Sequence, residues 1–289
     1  MPPSLEISYE GKPFTRRDVV KLLPVVGGLL VGGRLVFEDY DVVLGLVYAD
    51  VYEEQMEELE KKLGERYGVQ FFSGDEVCAY PDYTVRPSNI YEANAFLHIC
   101  WEELYKYPPD VIVNSNIKRL ETSHSIKKDF EEGKVRGVCT SGVMNVAYEA
   151  FAGNIEEQSD TRKGIHHEIA HRLIMNSVFK QYIYTWEKIC GTDTDLLNPD
   201  CFVDEYSMKN IFEDIPSTMA ALMIPDAHRE LIRKIITLKE DPSKHGAYGI
   251  LSKKYALSRA IFFEASSGKM NDMYWEDLIL GNVTENYWI

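Results

Sequence analysis

The sequence predicts an α+β protein, a strand–helix upper half followed by a mostly helical lower half. Three observations predict it. Strand-like apolar runs are confined to the chain before about residue 148, helical periodicity dominates from about Thr161 onward, and a His-rich helix stands at the junction. The 289 residues, 45% hydrophobic and 27% charged, suffice for one large domain or for two halves sharing a cleft. Residues 1–36 read as an N-terminal segment. Residues 37–289 read as the main domain, its upper half at about 37–171 and its lower half at about 172–289.

The elements follow in order. Val42-Val43-Leu44-Gly45-Leu46-Val47-Tyr48 is a continuous apolar run of the kind that forms a strand covered on both faces. In residues 51–67, Tyr52, Met56, Leu59, Leu63 and Tyr67 recur three or four apart among glutamates and lysines, an amphipathic helix ended by Gly68. Val69-Gln70-Phe71-Phe72 is a second strand. Asn89 and Glu92 form a potential capping box for a helix running through Phe96, Leu97 and Trp101 to Tyr107, where Pro108-Pro109 stops it. Asp110–Asn114 reads as strand. Residues 135–148 read as two strands joined at Thr140-Ser141-Gly142.

The net charge of −15 argues against a nucleic-acid partner, because such a partner requires cations for its phosphates. Five cysteines, at 78, 100, 139, 190 and 201, contain no CxxC pair, which disfavours a thiolate metal site. Cys100 and Cys139 read as small core residues, whereas Cys190 and Cys201 flank a polar loop and would be bridged in an oxidising compartment. At the amino terminus, Thr15-Arg16-Arg17-Asp18-Val19-Val20-Lys21 precedes a Gly-rich apolar stretch to Gly33. That pattern resembles a twin-arginine export signal, although Arg34 follows at once and no Ala-x-Ala cleavage site is nearby. The competing reading is an ordinary helix capped by Thr15, with Leu22, Leu23 and Val26 buried. The expected location is therefore outside the cytoplasm if this segment is a signal, and cytoplasmic otherwise. Membrane association is expected only if the signal stays uncleaved.

The chemistry centres on His167-Glu168-Ile169-Ala170-His171. Histidines four apart share one helix face, a turn from each other, and two neutral imidazoles at that spacing can bind one tetrahedral zinc ion. Glu168 projects beside the metal, where a carboxylate can hold a water. Ile169 and Leu173 point roughly 200° and 240° away from His167, at about 100° per residue, and anchor the helix in the core. His166 is rotated by about 100° from His167 and cannot share the metal on a regular helix, so it reads as structural or as a support for the site. His98, His124, His228 and His245 have no partner spacing. A chance HExxH arises in roughly one chain in a hundred of this length, so a third ligand has to decide.

The strongest candidate lies in Phe202-Val203-Asp204-Glu205-Tyr206-Ser207-Met208-Lys209-Asn210-Ile211-Phe212-Glu213-Asp214. The HExxH helix followed by Tyr-x-x-x-Asn-x-x-Glu-Asp resembles the gluzincins, zinc metallopeptidases related to the anthrax lethal factor catalytic domain and to the bacterial minigluzincins. Trp186 and Leu197-Asn198-Pro199 are also similar to the minigluzincin loop, and the resemblance spans roughly residues 90–220. It implies a zincin-like fold and one zinc ion held by His167, His171 and Glu213; apart from the resemblance, Glu205 beside Tyr206 is the runner-up third ligand. It further implies Glu168 as general base and Tyr206 as the group that stabilises the oxyanion during peptide-bond hydrolysis. Where such proteins often carry an acid four residues after the ligand glutamate, this chain has Ser217, so Asp214 or Asp204 is expected to orient a zinc histidine instead. Asn210, Asp214 and His166 are the supporting residues expected around the site. Pro216 predicts a kink or a late start in the ligand helix.

The expected partner is a peptide or protein substrate, aligned along a strand from 135–148 by edge pairing. No aminopeptidase-type Gly-x-Met-Glu-Asn stretch precedes the helix, which favours endopeptidase action. The competing readings are a catalytically inactive or regulatory zinc-binding protein of the same fold, and an interaction module with a fortuitous HExxH.

Overall fold

In the computed structural model the described residues are 49–128, 134–135, 137–140, 142–147, 155–190 and 198–288, and all of them belong to the unit Gly45–Ile289. The N-terminal segment, the run Val42–Tyr48 and the centre of the Cys190–Cys201 loop lie outside them.

Helix α1, Ala49–Tyr67, buries Leu59, Leu63 and Tyr67 as one i, i+4 stripe. It ends at Gly68, whose φ of +68° favours a residue without a Cβ. Strand β1, Gln70–Phe72, and β2, Tyr83–Pro87, precede α2, Ile90–Leu104. The Asn89–Glu92 capping box closes the start of α2 in both directions.

The strand expected at Asp110–Asn114 is a helix, α3, Pro109–Ser115. Pro109 sits at the first helical position, where its fixed φ is already helical, and Asn116 closes the far end in the left-handed region at φ 55°. Val111, Ile112 and Ser115 are buried while Val113 is 65% exposed, a helical pattern that overrides the β preference of valine and isoleucine.

The central strand of the sheet is β3, Arg119–Lys128, followed by β4, Lys134–Val135, β5, Gly137–Thr140, and β6, Val143–Ala147. The strand order is β1-β3-β6-β5. The β1–β3 and β3–β6 pairs are parallel, β5 runs antiparallel to β6, and β2 and β4 both pair antiparallel with β3. Leu120, Ile126, Met144 and Val146 are buried in the core. Glu121 is also fully buried and accepts hydrogen bonds from Tyr80 Oη at 2.6 Å, from the Cys78 amide at 3.2 Å and from Asn145 Nδ2 at 3.3 Å, which holds the segment before β2 on the sheet.

The rest is helical: α4, Ile155–Met175; α5, Lys180–Cys190; α6, Ile211–Met223; α7, Pro225–Glu240; α8, His245–Ala265; and α9, Asp272–Leu280. Ile165, Ile169, Ala170, Leu173 and Ile174 bury the back of α4. Helix α6 packs across α4, and its own start is not late: it begins at Ile211 and runs through Pro216, so only the Phe212 carbonyl loses its usual amide donor. No disulfide joins Cys190 to Cys201. No described helix is long and apolar enough to cross a membrane. The fold is α+β, with the sheet before Met175 and, among the described residues, no strand after it.

Candidate metal centre

Two turns of chain meet here. Helix α4 presents His167 and His171 on one face, rings 4.6 Å apart between centroids and nearly perpendicular. The first turn of α6 presents Glu213. The two Nε2 atoms are 3.0 Å apart, and Glu213 Oε2 lies 3.1 Å from His167 Nε2 and 3.4 Å from His171 Nε2. Zinc–ligand bonds of about 2.0–2.2 Å at tetrahedral angles place neighbouring donors roughly 3.3–3.6 Å apart. The observed separations of 3.0, 3.1 and 3.4 Å come close to one face of such a tetrahedron, and two imidazole nitrogens with one carboxylate oxygen are donors that zinc accepts.

Glu168 belongs to the same cluster, its carboxylate within 4.8 Å of both imidazole nitrogens. Two triads thus compete, and the Glu213 oxygen closes the tighter triangle. Glu168 is left on the flank of the ligand set, buried under β5: a Cβ on Gly137 would stand 2.7 Å from Glu168 Oε1. Burial pushes the Glu168 carboxyl above its ordinary pKa, partly offset by the two imidazoles. For Glu213 burial acts in the same sense but loses: hydrogen bonds from His167 and His171, and their charge, hold it well below the usual carboxylate range. Burial opposes a charge on His171, yet the Glu213 and Glu168 carboxylates raise its pKa.

Asn210 sets Glu213 in place. As the N-cap of α6 it is extended, and its Oδ1 accepts the Glu213 amide at 3.1 Å. Tyr206 lies in a 3₁₀ turn, Tyr206–Met208, with its ring edge-on to His167 at 5.6 Å and the Lys209 ammonium 4.0 Å over its face. That turn is built on Asp204, whose Oδ1 accepts the Ser207 amide at 2.8 Å and whose other oxygen pairs with Lys163 on α4. Glu205, the alternative ligand, is exposed at the start of the turn.

The other supporting residues face elsewhere. Asp214 turns into the core, where it accepts Trp186 Nε1 at 2.7 Å and pairs with Lys254 at 2.7 Å. Neither Asp214 nor Asp204 orients a zinc histidine: both are committed to lysines. The Ser217 hydroxyl is buried without a hydrogen-bond partner. His166 is fully buried, with Nε2 2.7 Å from Glu103 and Nδ1 2.9 Å from Tyr107 Oη, and it joins α4 to α2. Burial lowers the His166 pKa, so the neutral ring donates to Glu103 and accepts from Tyr107. His124 contacts Glu92 at 2.6 Å and His228 contacts Tyr255 at 3.1 Å. Sequence reasoning missed Gly137 and Lys254, because a strand glycine and a helical lysine reveal nothing until the chain is folded.

No protein-family model matches the chain, and no curated protein matches it. By structure the chain is similar to the crystal structure of a candidate zinc-binding metallo-peptidase from Bacteroides caccae ATCC 43185. The TM-score is 0.53 and the sequence identity 18%, and the match covers 81% of this chain and 94% of that one. At this identity the likeness speaks for the fold.

Proposed function

We propose that this protein is a zinc-dependent peptidase, with the ion held by His167, His171 and Glu213. The observation that carries the reading is the donor triangle of 3.0, 3.1 and 3.4 Å, closed by residues 46 positions apart in sequence. A zinc ion there would supply Lewis acidity, polarising a substrate carbonyl and lowering the pKa of water towards about 7.

The chain's own residues do the rest. Glu168, beside the triangle with a raised pKa, takes the proton of the attacking water and delivers it to the leaving amine. Tyr206, its ring 5.6 Å from that of His167, would donate its phenolic hydrogen to the developing oxyanion. β5 ends the strand order and pairs with β6 on one side, so an extended peptide would add to its other edge. Such pairing suits internal bonds of a longer chain, which makes the proposed activity that of an endopeptidase. The gluzincin assignment rests on the Tyr206 to Glu213 spacing. Residues 15–33 support action outside the cytoplasm.

Zinc content and cleavage of a quenched-fluorescence peptide library, measured on wild type and Glu168→Gln, test this. One zinc per chain in both proteins is expected, with cleavage in the wild type alone. Absence of bound zinc, even after its addition, overturns the reading. Bound zinc without cleavage by the wild type leaves the inactive, zinc-binding alternative.

A further inference from the structure

The edge strand β5 lies against α4, the helix that carries Glu168. In the antiparallel register Gly137 pairs with Val146 and Cys139 with Met144. Position 137 therefore shares the sheet face of Val146, which is buried. Helix α4 lies against that same face: a Cβ on Gly164 would stand 3.7 Å from Val146 Cγ1. Any side chain at 137 would point at α4, and what it would meet is Glu168. A Cβ there would stand 2.7 Å from Oε1, 2.8 Å from Cγ and 3.0 Å from Cδ. All three distances are at or inside the limit that packed carbon atoms tolerate.

We propose that Gly137 is a positioning residue for peptide hydrolysis: by carrying no side chain it lets the edge strand lie directly on Glu168 and fixes where that carboxylate rests. The proposal builds on the peptidase reading above. Two consequences follow from one contact. The carboxylate is confined to the flank of the donor triangle, because the strand backbone blocks the space behind it. A peptide paired to the outer edge of β5 is then held at a set height above the same carboxylate. The groups a methyl would strike belong to the flexible Glu168 side chain and not to backbone, so the fold would yield by moving the base. Displacing a reacting group by about 1 Å can cost roughly 10²-fold in rate.

Gly137→Ala, Glu168→Ala and the double variant separate this role from a merely structural one. Zinc per chain, the melting temperature and cleavage of the peptide library are measured on each. Gly137→Ala is expected to bind one zinc and to lose about 10²-fold in kcat, with KM changed less than threefold. It is expected to melt lower than the wild type, whereas the same substitution in the Glu168→Ala background leaves the melting temperature unchanged or raises it. Cleavage by Gly137→Ala within threefold of wild type overturns the proposal. So does an equal drop in melting temperature in both backgrounds, which would mean that the methyl strikes something other than Glu168. A wild type that binds no zinc, or binds it and cleaves nothing in the library, removes the peptidase reading and this proposal with it. The melting-temperature cycle still reports on the Gly137–Glu168 contact by itself.

Discussion

Lys254 reaches across from α8 to Asp214 on α6, Nζ 2.7 Å from Oδ2, with both side chains enclosed. Asp214 follows Glu213 directly, so the ion pair anchors the helix turn that presents the proposed ligand Glu213. The ammonium also donates to the Cys201 carbonyl at 3.0 Å and lies 3.9 Å over the Phe202 ring. Burial already raises the Asp214 pKa against the pull of Lys254, Trp186 and Cys190. Removing the lysine charge strands a buried carboxylate. Lys254→Met is expected to lose about 3–5 kcal/mol in urea denaturation at pH 7, and adding Asp214→Asn to recover part of it. A loss below about 1 kcal/mol would show that the pair does not hold the helix.

The Glu103–His166 pair makes stability sensitive to acid. Burial opposes the Glu103 charge, but the hydrogen bond from His166 and the nearby Lys106 ammonium outweigh it and hold the carboxyl far below the ordinary value. A depressed acid contributes stability above its unfolded pKa of about 4.3, and that contribution is lost as pH falls below it. Burial keeps His166 neutral in the folded state, so the unfolded state binds the extra proton and stability also declines as pH falls through about 6.5. Both effects run the same way. Unfolding free energy followed from pH 7 to pH 4 should fall, and Glu103→Gln with His166→Gln should flatten the curve.

Asn210 caps the helix that carries Glu213. Asn210→Ala is expected to cost about 1 kcal/mol of stability and to weaken zinc binding, whereas Asn210→Asp keeps both near wild type. Calorimetric titration with zinc, run beside thermal melts, would reveal a cap that does not matter as an unchanged pair of values.

Zinc should stabilise the folded chain, by about 2.7 kcal/mol when free zinc is a hundredfold above its Kd. The shift in melting temperature should vanish in His171→Ala and Glu213→Ala, and persist in Glu205→Ala. A shift lost in Glu205→Ala but kept in Glu213→Ala would transfer the third ligand to the runner-up.

Residues 1–40 fused to a reporter should be exported through the twin-arginine route, and Arg16→Lys with Arg17→Lys should stop it. A reporter retained in the cytoplasm would return residues 15–33 to an ordinary helix.

The sequence by itself determined what the helical repeat dictates. His167, His171 and the flanking Glu168 share a site because four residues make one turn, and Asn89 and Glu92 cap a helix because of their spacing. Periodicity also marked α1 and the β5–β6 hairpin. It failed where packing overrules preference. Pro109 and the burial of Val111, Ile112 and Ser115 turned a β-branched run into helix, and the central strand Arg119–Lys128 hid behind buried polar residues such as Glu121 and Ser123. Only the tertiary structure brought Glu213 within 3.1 Å of His167, turned Asp214 towards Lys254 and laid Gly137 on Glu168. Those relationships join segments about 30 to 46 residues apart in the chain. No local repeat encodes such distances; they depend on how α6 and β5 pack against α4 and how α8 packs against α6.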